Sequence, residues 1–337
     1  MEKIKVGIIG CGRTANSLHA VVLEKHTEFE VVACYNKTRS KAESLAARLN
    51  ARVLDTYEEF VNCPDFDLAI ILTYSDSHAP IAIDCLKAGK DCLITKPWAL
   101  TNELADELIK TGKETGHKVI PFIPCHWGCD IHKLKELMAE NAIGKVFQVR
   151  RQQVTFGRRN DWQMYKEHGG GYLNNWGPHL IEQVLDFVGE PIDQVFAETK
   201  LVVNPGDTED MFYAVLKSKS GVLITVEHNI MTDDLPNWVV QGDRGTIYIK
   251  ENEMEIHQIS YPETDDKDAY RSPVEVKKTH ITLEGKRFGD HYQIYTDIAK
   301  YIRGEEDYCI SLEHARHLTQ VMVAIHEAAD THTLVKL

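Results

Sequence analysis

Over the first third of the chain, hydrophobic positions come in short unbroken runs, separated by stretches with helical periodicity. Runs at 4–9, 30–35, 53–54, 68–73, 91–94 and 118–122 predict strands, with helices between them, the first over 14–26. Ala69-Ile70-Ile71-Leu72 contains no polar residue, as expected of a parallel sheet buried on both faces. Ser40-x-x-Glu43 and Thr56-x-x-Glu59 read as capping boxes opening two of the helices. Strictly alternating β and α predicts a doubly wound α/β sheet.

The pattern changes after residue 122. A helix is predicted over 130–141, ended by Ile143-Gly144, and longer alternating strands at 146–155, 195–203, 211–217, 222–228, 238–241 and 246–249. Asn204-Pro205-Gly206 and Gly242-Asp243-Arg244-Gly245 mark turns between them. One interior helix is expected near 179–188, a polar exposed loop at 263–273, and two closing helices at 290–303 and 312–330. This describes an α+β domain with a large, mostly antiparallel open sheet. A chain of 337 residues suits two domains, divided as 1–122 and 123–337.

Composition narrows the classes. The net charge of −13, with no basic stripe, argues against a nucleic-acid partner. No run approaches the roughly 18 apolar residues of a membrane span. Met1-Glu2-Lys3 leads straight into the first strand pattern, which predicts no secretory leader and a cytoplasmic protein. The eight cysteines are scattered, and most sit in apolar patterns, as buried thiols in a reducing compartment do. Cys125-His126-x-x-Cys129-x-x-His132 has metal-like spacing but no second distant pair, so no metal is expected.

Gly10-Cys11-Gly12-Arg13-Thr14-Ala15 lies between the first strand and first helix. Gly10 permits a tight turn, Gly12 lets backbone approach a pyrophosphate, and Ala15 allows close helix–strand packing. The N–H groups of Arg13, Thr14 and Ala15 at the helix start face the phosphates. These features predict a dinucleotide-binding unit. Asn36-Lys37-Thr38-Arg39 ends the second strand. Asn36 can bond a ribose 2′-OH without repelling a 2′-phosphate, and Lys37 and Arg39 could contact that phosphate. NAD is the expected cofactor, with NADP open. Thr95-Lys96-Pro97 ends the fifth strand, where ligands bind in open α/β sheets. Three consecutive glycines, 169–171, precede Asn175 and His179, which are four apart and so share a face if helical. Pro178 could instead mark the helix start. Histidine suits acid–base work near neutrality.

With these motifs in order, the chain resembles the glucose–fructose oxidoreductase / inositol dehydrogenase (Gfo/Idh/MocA) family over essentially its whole length. The resemblance implies a Rossmann domain, a C-terminal domain with a large open sheet, and oxidation or reduction of a sugar, glycoside or cyclitol with NAD or NADP. It implies catalytic roles for Lys96 and His179: His179 removing the hydroxyl proton, Lys96 stabilising the alkoxide. Thr95 stands where the family usually has glutamate. Asn175 stands where it has a catalytic aspartate, which marks an Asn-bearing branch and predicts a less basic His179. By the same analogy Thr73, Tyr74, His78 and Pro97 line the nicotinamide side. His126, Trp127, Arg159, Trp162 and Tyr165 are candidates for the substrate cleft. A homodimer or homotetramer through the C-terminal sheet is expected. Two further activities occur within this fold: a glycosidase using NAD for transient oxidation, and a non-catalytic dinucleotide sensor.

Overall fold

The computed structural model describes residues 2–232, 235–262, 268 and 270–337. Among them, the N-terminal strands are β1 (Ile4–Ile9), β2 (Phe29–Tyr35), β3 (Arg52–Val53), β4 (Leu68–Ile71), β5 (Asp91–Thr95) and β6 (Val119–Phe122). They form one parallel sheet in the order β3-β2-β1-β4-β5-β6. Every residue of β4 is buried, because helices cover both faces. The helices are α1 (Ala20–Leu23, preceded by a π turn at Ala15–His19), α2 (Arg39–Leu49), α3 (Tyr57–Val61), α4 (His78–Lys87) and α5 (Asn102–Thr115). The strand order reverses between β1 and β4, which opens a crevice at their carboxyl ends.

Thr56 and Glu59 form the expected capping box at α3. The box expected at Ser40 does not form: α2 already begins at Arg39, with Thr38 at the N-cap making no side-chain cap.

The second half comprises α6 (Cys129–Ala139), β7 (Val146–Val154), α7 (Tyr172–Val188), β8 (Ile192–Lys200), β9 (Met211–Ser218), β10 (Leu223–Asn229), β11 (Trp238–Gly242), β12 (Gly245–Lys250), β13 (Glu253–Ser260), β14 (Glu275–Thr282), α8 (His291–Arg303), α9 (Leu312–Thr331) and β15 (Val335–Lys336). Its strands make a nine-stranded sheet, β14-β13-β12-β11-β7-β10-β9-β8-β15, antiparallel except for the β7–β10 pair. The sequence pattern missed β13 and β14. β14 is an edge strand, exposed along almost its whole length and carrying Lys277 and Lys278, so it has no apolar face to read. The polar loop expected at 263–273 lies largely outside the described residues.

α7 is longer than expected. It starts at Tyr172 and contains Pro178 in its interior. Glu209 makes this start possible: its carbonyl accepts from Tyr172 N–H and its carboxylate from Leu173 N–H, each at 3.0 Å. Two further helices tie the halves together. α8 inserts Ile294, Tyr295, Ile298 and Ala299 into the core beneath β1 and β6. α9 receives the Trp98 indole N–H on Thr319 Oγ1 at 2.9 Å.

Candidate active site

The turn after β1 is built for close approach. Gly10 has φ +94°, and a Cβ there would lie 2.5 Å from the Leu72 carbonyl carbon at the end of β4. A Cβ on Gly12 would meet nothing within 4 Å. The space over Gly12 is therefore open, as a pyrophosphate requires, while Gly10 is needed by the fold itself. Arg13 and Thr14 are exposed beside this space, and Ala15 is fully buried beneath it.

At the end of β2, Asn36 is held in place. Its Oδ1 accepts from Cys11 N–H at 3.0 Å and its Nδ2 donates to the Thr38 carbonyl at 3.1 Å. Arg39 pairs with Glu43 at 2.8 Å and with Asp55, and Lys37 is exposed.

At the ends of β4 and β5, the buried His78 ring bridges two loops. Its Nδ1 reaches the Pro97 carbonyl oxygen at 2.8 Å and its Nε2 that of Thr73 at 3.1 Å. Both nitrogens face backbone carbonyls, and the one N–H of a neutral ring can donate to either, which makes His78 a brace for Thr73 and Pro97. Tyr74, exposed, packs against Trp162 (centroids 4.8 Å apart) and His168 (4.3 Å), joining the first half to the second.

Lys96 follows β5 and points at the first turns of α7. Its Nζ donates to both the backbone oxygen and the Oδ1 of Asn175, each at 2.6 Å. Burial, reinforced by the Arg159 charge, pushes its ammonium down to about 7. Arg159 is itself tethered, donating to Asp161 at 2.7 Å. One turn further along α7, His179 is 8% exposed, and its Nδ1 is enclosed with no hydrogen-bond partner among the described residues. Burial and the charges of Lys96, Arg151 and His291 hold this imidazole well below its ordinary range. Phe288 closes one side of the ring edge-on at 5.5 Å.

A small recess of about 10 Å³ opens beside Lys96, lined by Ser75, Pro97, Gln163, Asn174, Asn175 and the glycines. The glycines let the chain's own backbone close in. A Cβ on Gly169 would strike Leu100, one on Gly170 the Gln163 carbonyl, and one on Gly171 the Glu209 carboxylate.

The structure thus brings together Lys96 and Asn175, with His179 one turn along α7 and Arg159 close enough to act on Lys96, while Trp162 and Tyr74 pack on each other. The side-chain nitrogens of His126 and Trp127 are turned to other partners. His126 Nδ1 lies 2.6 Å from the buried Glu182 carboxylate, and Trp127 donates to Asp297 at 2.9 Å. Burial opposes charge on His126, but hydrogen bonds to Cys309 and Glu182 outweigh it and push the imidazole up to about 10. Tyr165 is 39% exposed and makes its described contacts through backbone. Cys129 and His132 line a separate groove near α8. Among the described residues no cluster of His, Cys, Asp or Glu could hold a metal ion.

Gln163, Glu182, Arg151 and Phe288 were not singled out from sequence. Glu182 carried a signal, since i+3 from His179 it shares that helix face. Arg151, buried at the centre of β7 and bonded to Gln183 at 2.9 Å, carried none.

Comparison with known proteins agrees with this architecture. Residues 4–122 match the family described as oxidoreductases with an NAD-binding Rossmann fold, and 131–248 match the GFO/IDH/MocA C-terminal domain. The oxidoreductase YdgJ of Escherichia coli is 29% identical over 258 residues, 74% of this chain and 71% of that protein. The scyllo-inositol 2-dehydrogenase (NADP(+)) IolW of Bacillus subtilis is 25% identical over 72% of this chain and 67% of its own. An NAD-binding protein from Listeria innocua shares the fold, with TM-score 0.84 at 23% identity, covering 99% of this chain and 97% of that one.

Proposed function

The chain belongs to the GFO/IDH/MocA family of oxidoreductases with an NAD-binding Rossmann fold, and from that premise we propose that it moves a hydride between a nicotinamide dinucleotide and a secondary hydroxyl of a sugar, glycoside or cyclitol. One observation carries this reading. An amine, Lys96, borders a recess at the carboxyl ends of the parallel strands and is held by Asn175, and the His179 imidazole, one turn along α7, lies close enough to feel the Lys96 charge. Together they can hold one hydroxyl and move its proton.

The dinucleotide, when bound, supplies the hydride acceptor or donor. Gly12 and the helix start after it would carry the pyrophosphate. Asn36 would meet the adenine ribose, and the Thr73–Tyr74 and Lys96–Pro97 loops would flank the nicotinamide end. Asn36 is oriented by Cys11 and Thr38, and it carries no charge to repel a 2′-phosphate. Arg39 must leave Glu43 and Asp55 to reach such a phosphate. This supports NAD as the better cofactor, with NADP accepted. The NADP(+) in the name of the IolW relative fits that tolerance.

Trp162 and Tyr74 form an aromatic wall suited to a sugar's apolar face, and Arg159 stands beside Lys96. Self-association would use the face of the large sheet opposite α7 and α9, as a homodimer or homotetramer. A cofactor-fluorescence screen with NAD+ and NADP+ against free sugars, cyclitols and glycosides tests the reading. Reduction with at least one polyol is expected. Glycoside cleavage without net reduction would instead point to transient oxidation, and cofactor binding without any turnover would point to a sensor.

A further inference from the structure

We propose that Lys96, and not His179, is the group that exchanges the hydroxyl proton, with His179 acting as a neutral hydrogen-bond donor. This assignment rests on the oxidoreductase reading and reverses the roles that the family resemblance suggests for the two side chains.

The geometry at Lys96 suits a neutral amine. An uncharged –NH2 has two N–H donors and one lone pair. Asn175 offers two uncharged acceptors, its backbone oxygen and Oδ1, both 2.6 Å from Nζ. These can take both N–H bonds, which leaves the lone pair of a residue that borders the recess uncommitted. Among the described residues, no carboxylate lies within ion-pair distance of Nζ to favour the ammonium. The groups that face Lys96 are Arg159 from the loop after β7, His78 from α4, Cys125 from the turn after β6, and Asn175 and His179 from α7. The Arg159 cation and the burial both work against a second positive charge.

The geometry at His179 suits the opposite role. A general base must become imidazolium, with N–H on both ring nitrogens. Nδ1 is enclosed and has no acceptor among the described residues, so a proton there would be a buried donor unpaired by them. The ring is faced by Arg151 from β7, whose charge opposes a positive ring, by Lys96 and His291 from α8, which oppose it only when protonated, and by the uncharged Phe288 and Trp176. The nearest acid on its own helix, Glu182, is turned to His126 and His314. The favoured form keeps the proton on Nε2 and donates it to the substrate oxygen.

In the oxidative direction the C–H electron pair leaves to the oxidised nicotinamide. The O–H bond breaks, and its pair becomes the second bond of the new carbonyl. The proton goes to the Lys96 lone pair, giving an ammonium that later releases it to water. Reduction runs the same steps backwards.

The test is NMR titration of the full chain, labelled with 13C-lysine and 15N-histidine, with and without NAD+. Lys96→Met and His179→Asn assign the two signals. Lys96 is expected to titrate near neutrality, well below the surface lysines, with His179 neutral across the whole range. Asn175→Asp should raise the Lys96 midpoint by one unit or more. Chemical rescue reads the role itself: on any polyol found in the screen, ethylamine should restore Lys96→Ala turnover at least tenfold, while imidazole leaves a His179→Gly variant unrestored. The proposal is overturned if Lys96 titrates with the surface lysines, or if imidazole rescues His179→Gly and amines do not rescue Lys96→Ala. A screen with no oxidised polyol would sink the functional reading instead, while the titration still decides between the two side chains.

Discussion

Asn175 holds Lys96 twice, through its backbone oxygen and its side-chain oxygen, each 2.6 Å from Nζ. The amine is positioned by neutral oxygens alone. Replacing Asn175 with Asp puts a negative charge at the same distance and favours the ammonium. If turnover needs the free amine, the acid limb of the kcat/KM profile lies near pH 7 in the wild type. It should move up by about 1–2 units in Asn175→Asp, with about 10–100-fold less activity at neutral pH. A limb that stays in place in the variant would exclude Lys96 as the titrating group.

Gly10 and Gly12 should separate folding from binding. Gly10→Ala forces a side chain into positive φ and onto the Leu72 carbonyl, so stability should fall by about 2 kcal/mol or more. Gly12→Val meets open space and should leave the melting temperature nearly unchanged while abolishing dinucleotide binding. Thermal melts beside calorimetric NAD+ titrations check both. Full NAD+ affinity in Gly12→Val would remove this turn from the cofactor site.

His126 and Glu182 form a buried ion pair, and breaking it leaves an uncompensated charge. Glu182→Gln or His126→Ala should cost about 3–5 kcal/mol at pH 7 in urea unfolding. The folded His126 is raised to about 10, so its contribution is complete below the unfolded value near 6.5 and is lost as pH rises through 10. The gap between wild type and His126→Ala should therefore narrow in alkali. A constant gap from pH 6 to 10.5 would mean that packing, not charge, links these residues.

Two buried histidines predict acid lability. Burial pushes His19 down to about 3 and His228 to about 4, so both stay neutral in the folded chain while the unfolded chain binds protons below about 6.5. Stability should fall from pH 6.5 to 4 by about 1.4 kcal/mol per pH unit per residue. His19→Gln and His228→Phe should each remove one proton's worth of that slope. Equal slopes in wild type and variants would show that carboxylates alone drive acid unfolding.

Cofactor discrimination should be modest. With no carboxylate at Asn36 and with Arg39 engaged by Glu43 and Asp55, NAD+ and NADP+ affinities should differ by about 10–30-fold, or 1–2 kcal/mol. Arg39→Ala should weaken NADP+ and spare NAD+. Dissociation constants at one ionic strength decide it, and a preference beyond a thousandfold would contradict this view of the β2 terminus.

Local pattern was enough to show the parallel sheet, the glycine turn and the place of Lys96 at the end of β5. Strands buried on both faces must be apolar throughout, and a tight turn against a neighbouring strand admits only glycine, so these demands are written residue by residue. What β14 does is invisible locally, because an exposed edge strand buries nothing. The early start of α7 depends on Glu209, far along the chain, supplying the cap that Gly171 lacks. The same holds for chemistry. The sequence does not show that Glu182 and Asp297 hold the side-chain nitrogens of His126 and Trp127. The enclosed Nδ1 of His179 and the paired oxygens on Lys96 exist only once α7 is packed against the end of β5. Residue type sets which protons a side chain can hold. Packing sets the dielectric and the partners, and those decide which group carries the charge.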